Sequence, residues 1–227
     1  MPRKRRHART ARATRPINVV VDLSHHNETV DFARMKAAGI VGVIHKATQG
    51  LTYIDDTYAS RRVEALACGL LWGAYHFGVG GDGSDQAEFF LDATKPDERT
   101  LLVLDYEPNL TGPTMSLDQA REFVEHVGET TGRWPGLYSG HLIKEQLGGA
   151  TPPDPQLSKC FLWIAQYNGP RPLNVPPTFR TWTFWQYTDG VHGAAPHRVD
   201  GAGLCDRDMF NGSLAQLRRL WGVARSR

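Results

Sequence analysis

No stretch of this 227-residue chain approaches the roughly 20 consecutive apolar residues that a membrane-spanning helix needs. Cysteine is scarce: Cys68, Cys160 and Cys205 are the whole supply. An odd number leaves at least one unpaired in a monomer, and neither Cys-x-x-Cys nor a metal-type spacing occurs, so no disulfide framework or zinc module is expected. Each cysteine lies beside apolar residues, and buried free thiols are predicted. A P-loop is missing, and the glycines at 78–83 do not open a helix after the first strand as a dinucleotide fingerprint would. Nor does an apolar run follow the charged start. Ile17 to Val21 is too short for a signal peptide and reads as a strand, so no conventional export signal is visible. No internal repeat is present.

Acidic residues are absent from the first 15 positions, which carry Arg3, Lys4, Arg5, Arg6, Arg9, Arg12 and Arg15. The other 19 basic residues face 24 acidic ones, so a net charge of +2 hides a body of −5. Residues 1–16 are expected to be a basic, disordered arm and 17–227 a single folded domain. Nucleic-acid binding would rest on that arm alone, because no basic patch with interleaved aromatics recurs later.

The body alternates strands with helices. Ile17 to Asp22 is a β-branched strand; Asp31 to Ala38 is a helix stopped by Gly39. Val41 to His45, Leu70 to Phe77 and Leu101 to Glu107 are further strands. Between them lie helices over Asp56 to Cys68 and Ser84 to Ala93, the latter with Ser84 as N-cap. Ser116 to Thr131 is the clearest helix, with Leu117, Ala120, Phe123, Val124 and Val127 on one face and Gly132 as its stop. After a strand near Gly136 to Tyr138 the rhythm changes. Phe161 to Gln166 and Thr181 to Tyr187 are separated by a Pro-rich stretch, and a last short strand, Leu204 to Asp206, precedes a helix from Ser213. Such alternation implies parallel βαβ units, and about eight strands in one domain imply an α/β closed barrel, irregular at its end.

In a parallel β/α barrel, chemistry gathers at the C-terminal ends of the strands. Asp22, Asp105, Glu107 and Asp206 all fall at such ends. Strand side chains alternate, so Asp105 and Glu107 share a face and point into the barrel mouth, while Tyr106 points outward. Two close carboxylates are costly unless one keeps its proton, and enzymes use that coupling to hold a proton donor near neutral pH.

Several short motifs carry a resemblance. Asp22-Leu23-Ser24-His25-His26-Asn27, Lys46-Ala47-Thr48-Gln49-Gly50, Gly73-Ala74-Tyr75-His76-Phe77, Asp105-Tyr106-Glu107, Leu137-Tyr138, Trp163-Ile164-Ala165-Gln166-Tyr167, Trp185-Gln186-Tyr187 and the segment from Cys205 to Ser213 come in that order. Together they resemble glycoside hydrolase family 25, the Chalaropsis-type lysozymes, from about residue 17 to about residue 221. Gln49 stands where the family pattern has Glu, and Asp208 where it has Asn. The resemblance implies an irregular TIM-like barrel of five β/α units followed by three strands with few helices. It also implies cleavage of the β-1,4 bond between N-acetylmuramic acid and N-acetylglucosamine in peptidoglycan, at the wall or outside the cell, with the export route open between a phage lysin, an unusual pathway and a misassigned start. Glu107 would be the general acid/base. Asp105 would orient the substrate's N-acetyl group, whose oxygen attacks the anomeric carbon, and Asp22 and Asp206 would flank the site. The alternative is an inverting route through an activated water.

Tyr75, Tyr138, Trp163, Tyr167, Trp185 and Gln186 are the expected substrate-binding residues, with Tyr138, Tyr167 and Trp185 foremost along the cleft. No cofactor or metal is expected, and His25, His26 and His76 lack HxxxH spacing. Lys46 is read as a buried partner of a nearby carboxylate. A monomer is expected, with no nucleic-acid partner and no membrane span. The rival readings are a non-catalytic peptidoglycan- or chitin-binding module and a chitinase-like glycosidase.

Overall fold

A computed structural model describes residues 15–149, 151–168 and 173–223. The arm predicted over 1–16 lies almost wholly outside the described residues. The chain enters through β1 (Ile17–Leu23), α1 (Phe32–Ala37), β2 (Gly42–Gln49), the short β3 (Tyr53–Ile54) and α2 (Tyr58–Ala67). Next come β4 (Leu71–Phe77), α3 (Gly83–Thr94), β5 (Thr100–Asp105), α4 (Leu117–Thr131), β6 (Gly136–Ser139) and α5 (His141–Leu147). The last third holds β7 (Phe161–Ala165), β8 (Trp182–Thr188), a small hairpin of β9 (Arg198–Val199) and β10 (Gly203–Leu204), then β11 (Asp206–Phe210) and α6 (Leu214–Leu220).

The sheet closes in the order β1-β2-β4-β5-β6-β7-β8-β11 and returns to β1, an eight-stranded barrel. Neighbours are parallel from β1 to β8, whereas β11 runs antiparallel to both β8 and β1. Five strands are followed by helices, β7 and β8 are followed by none among the described residues, and β11 leads into the terminal α6. The last strand differs from its prediction. Gly203 and Leu204 belong to the outer hairpin, and Asp206 begins β11 instead of ending it.

Strand alternation builds two cores. Val20, Ile44, Val103, Trp163, Phe184 and Phe210 point into the barrel. Val21, Val43, Leu102, Leu104, Leu162 and Ile164 point outward, under the helices. The floor is closed by α6. Trp221 is fully buried in the inner cluster, edge-on to Phe184 at 5.7 Å, and its indole N–H donates to the Trp72 carbonyl at 2.9 Å. A filled floor leaves the opposite rim as the open end.

Local chemistry sets the helix ends. Ser116 and Gln119 form a capping box on α4, and Gly132 ends that helix at φ +69°. On α3 the cap is Asp82, which accepts from the Asp85 amide, rather than Ser84. The helix starts earlier because Gly83 lets it approach α4. A Cβ at Gly83 would stand 2.1 Å from the Gln119 carbonyl oxygen, which is backbone and cannot rotate away. Gly83→Ala therefore costs about 1–3 kcal/mol by overpacking. A lowered denaturant midpoint at constant slope is the expected reading, and an unchanged midpoint would show that α3 shifts freely. Cys160 and Cys205 are buried free thiols, as predicted, while Cys68 is only half-buried.

Candidate active site

Side chains from the strand ends converge on a cavity of about 210 Å³ lined by Asp22, Tyr75, Asp105, Glu107, Tyr138, Trp163, Tyr167, Gln186 and Asp206. Parallel strands deliver Asp22, Tyr75, Asp105, Tyr138, Trp163 and Gln186 to one rim. Asp206 reaches the same rim from the start of β11, because that strand runs the other way; it is paired in register with Asp22. The sequence reading placed Asp206 at the correct rim from the wrong end of a strand.

Asp105 ends β5, and Glu107 follows two residues later on the same face. Burial, then the charge of Glu107, pushes the Asp105 carboxyl well above the usual range; the Lys46 ammonium opposes this. The Glu107 carboxyl is raised chiefly by burial and pulled back by His141. Two buried carboxyls so placed resist ionising together, so the pair holds a proton above the usual carboxylate range. Asp105 Oδ1 is buried and has no hydrogen-bond partner among the described residues. An orphaned acceptor on the wall of a cavity is costly unless a ligand supplies the donor.

The opposite wall is a hydrogen-bonded chain. Gln186 donates through Nε2 to Asp22 Oδ2 at 2.8 Å and accepts at Oε1 from the hydroxyls of Tyr138 (2.7 Å) and Tyr167. The amide is thereby fixed in one orientation, and it fixes Asp22. Burial keeps the Tyr75 and Tyr138 hydroxyls protonated, well above their ordinary range. Asp22 is raised well above the usual carboxylate value by burial, then by Asp206 and Asp208. Asp206 is raised to about 7, by burial first and then by Asp189 and Glu107. Trp163 lies on the floor, edge-on to Tyr138 at 4.6 Å, and donates its indole N–H to Asp208 at 2.7 Å.

Five of the six residues expected to touch substrate line this cavity. Trp185 does not. Successive strand residues face opposite ways, so with Gln186 inward, Trp185 packs in the outer layer between Trp182 and Tyr187, and its indole N–H donates to the Gln166 carbonyl. Lys46 also differs from its reading. Its ammonium donates to the side-chain oxygen of Gln49 at 2.8 Å and sits over the rings of Tyr53 and Phe77. Asp105 is felt through space, which partly offsets the lowering of the Lys46 pKa by burial. Of the three histidines, His25 and His26 lie side by side, with ring centroids 3.9 Å apart. His25 pairs with Asp55 at the rim, and His76 is buried between Thr48 and Gln86 in the outer layer. Asp208 was named in the sequence only as a departure, yet it shares the face of Asp206 two residues away, a signal that alternation alone provides.

The sequence profile of Glycosyl hydrolases family 25 matches residues 21–194. The chain belongs to this family. It is 32% identical over 223 residues to lysozyme M1 of Streptomyces globisporus, covering 88% of this chain and 70% of that protein. It is 26% identical over 198 residues to the N,O-diacetylmuramidase of Chalaropsis sp, covering 80% of this chain and 93% of that one. Among solved structures, the lysozyme of Streptomyces coelicolor superposes with a TM-score of 0.76 at 32% identity, covering 90% of this chain and 97% of that one. A family 25 lysozyme of Aspergillus fumigatus superposes at 0.75 and 34% identity, covering 90% and 99%. The matched residues include Asp22, Asp105 and Glu107, and Asp206 lies beyond them.

Proposed function

We propose that this protein is a peptidoglycan hydrolase, a 1,4-β-N-acetylmuramidase, and that Glu107 is its general acid/base. The observation that carries the reading is the coupled pair at the end of β5: Glu107 held above its usual pKa beside an Asp105 oxygen that lacks a donor. The sugar on the donor side of the scissile bond carries an acetamido group. Its N–H supplies the missing donor to Asp105 Oδ1, and that contact turns the acetamido oxygen toward the anomeric carbon. The reaction needs Asp105 ionised and the shared proton on Glu107; burial raises Asp105 the more of the two, and the Lys46 ammonium and the acetamido N–H donating to the carboxylate work against that rise.

In the first step Glu107 gives its proton to the glycosidic oxygen as that bond breaks. The acetamido oxygen forms the new bond to the anomeric carbon, giving a cyclic oxazolinium ion. In the second step the Glu107 carboxylate takes a proton from water, whose oxygen attacks the anomeric carbon and reopens the ring. Two inversions give net retention. Asp22 and Asp206 stand beside the positive charge that develops on the sugar. Every residue of the cavity comes from one chain, so a monomer suffices, and residues 17–227 are the catalytic domain. The substrate is a wall polymer, which places the action outside the cytoplasm or in the wall.

Digestion of purified peptidoglycan tests both parts. New reducing ends are expected on N-acetylmuramic acid and, when first formed, in the β configuration. Reducing ends on N-acetylglucosamine would overturn the muramidase assignment, and initial α product would overturn the substrate-assisted route. Binding to the wall without cleavage would favour a carbohydrate-binding role.

A further inference from the structure

A second depression lies beside the catalytic cavity on the same rim. It measures about 750 Å³ and runs between the loop that follows β1 and the β9–β10 hairpin. Its two walls are the chain on either side of the flanking acids. Asp22 and Asp206 are paired across β1 and β11. One wall begins at His26, just past Asp22, and the other ends at Leu204, just before Asp206.

Both walls are held in place. Arg61 pins the loop by donating to the carbonyls of Ser24, at 2.8 Å, and Asn27. The hairpin is tied to the start of α1 twice. The Asp31 amide donates to the Gly201 carbonyl at 2.7 Å, and the Arg34 guanidinium donates to both carboxylate oxygens of Asp200. A groove formed in advance saves its ligand the cost of ordering it.

The lining chemistry differs from that of the catalytic cavity. Tyr75, Tyr138, Trp163 and Tyr167 give the cavity aromatic faces of the kind on which sugar rings stack, whereas no Phe, Tyr or Trp among the described residues lines the groove. Its walls are polar and charged instead. Arg34 is engaged by Asp200, and Asp31 caps α1 by accepting the Arg34 amide at 2.9 Å. Arg198 and Glu28 remain, one charge of each sign. Both are exposed, and the side chain of each is without a hydrogen-bond or ion-pair partner among the described residues.

We propose that this groove binds the stem peptide of the strand being cut, with Arg198 taking a free stem carboxylate and Glu28 the side-chain amine of the stem's diamino acid. The stem hangs from the lactyl group of muramic acid, the sugar whose bond breaks. A muramic acid seated over Asp22 and Asp206 therefore starts its peptide at the edge of the groove, and four extended residues reach about 13 Å. A guanidinium offers paired N–H donors that match a carboxylate. A peptide that carries both signs of charge fits walls that do the same, and a bare glycan does not.

The identity of the ligand rests on the muramidase reading, and one arm of the test needs no turnover. Soluble glycan strands with their stems are compared with the same strands after an amidase has removed them. The unaltered protein should favour the stem-bearing strands by about tenfold in kcat/KM, chiefly through KM. Arg198→Ala should reduce that ratio to about threefold, and Arg198→Glu should abolish it. The Arg198 side chain supports no other group, so both variants should melt within about 2 °C of the unaltered protein. In the second arm, NMR follows the backbone amides on adding the free tetrapeptide L-alanyl-γ-D-glutamyl-meso-diaminopimelyl-D-alanine. Asn27, Gly201, Ala202 and Gly203 should shift, and Arg198→Glu should suppress the shifts. Equal kcat/KM on both kinds of strand, a ratio untouched by Arg198→Glu, or a tetrapeptide that moves no groove amide would each overturn the proposal. If neither kind of strand is cut, the proposed function fails, and the tetrapeptide titration still decides whether the groove binds a stem.

Discussion

Glu107→Gln lowers the turnover of peptidoglycan by about 10²–10⁴-fold, the usual share of a general acid/base. The amide keeps the size of the side chain and its place beside Gly140, and it loses only the ability to give and take a proton. Burial raises the Glu107 pKa, which favours the protonated form that the first step uses. Stability should not fall with activity. Removing an ionisable group from a buried, coupled pair relieves repulsion on Asp105, so the variant's Tm should match or exceed that of the unaltered protein near neutral pH. Initial rates of reducing-end release, with sedimentation on insoluble wall as a control for binding, separate the two effects. A variant that retains activity within tenfold would move the acid role to Asp206, the remaining rim acid with a pKa near the working range, at about 7.

Most of this site was readable because its logic is periodic. Asp105 and Glu107 are two residues apart on an apolar strand, and alternation alone puts them in one mouth with Tyr106 turned out under the helices. The same rule, applied strictly, would have excluded Trp185 once Gln186 was placed inward, and would have added Asp208 to Asp206. Strand direction is not periodic. Nothing local in residues 203–210 says that the last strand runs antiparallel; that follows from closing the barrel between β8 and β1. The partners of Lys46 are likewise non-local in part, since Phe77 comes from β4. Capping was legible in kind but not in position on α3, because the close passage of Gly83 past α4 decides where that helix begins.

The largest stability effect should come from pH, and its sign follows from counting protons. Above the usual carboxylate pKa, the unfolded chain has released its carboxyl protons. The folded protein keeps one in the Asp105/Glu107 pair, one in the Asp22/Asp208 pair and one on Asp206 until pH reaches about 7. Against these three stand His45 and His76, buried and pushed down to about 4 and about 3, which the unfolded chain protonates below about 6.5. Between roughly pH 4.5 and 6 the three retained carboxyl protons outnumber the two histidine protons by one, so stability already falls gently as pH rises. Above roughly pH 6.5 the histidine term vanishes while the carboxyl protons remain, so the folded state binds more protons than the unfolded state and stability falls as pH rises. For Asp206 alone, an ordinary value of 3.8 raised to about 7 corresponds to roughly 4 kcal/mol, fully lost once pH passes the folded pKa. On the acid side, Asp55 works in the opposite sense. Its pKa is held down to about 2, against the cost of burial, by hydrogen bonds from Thr57 and His25, so the stability it contributes is lost as pH falls from about 4 to about 2. Melts at constant ionic strength should therefore peak at mildly acidic pH, with Tm lower by on the order of 5–10 °C at about pH 8 than at about pH 5.5. A flat or rising Tm across that interval would mean that the cluster sheds its protons without cost, and a general acid kept protonated by burial would then have no physical basis here. The same protons that destabilise the fold above neutrality are those the reaction uses, so the stability peak and the activity optimum should fall together.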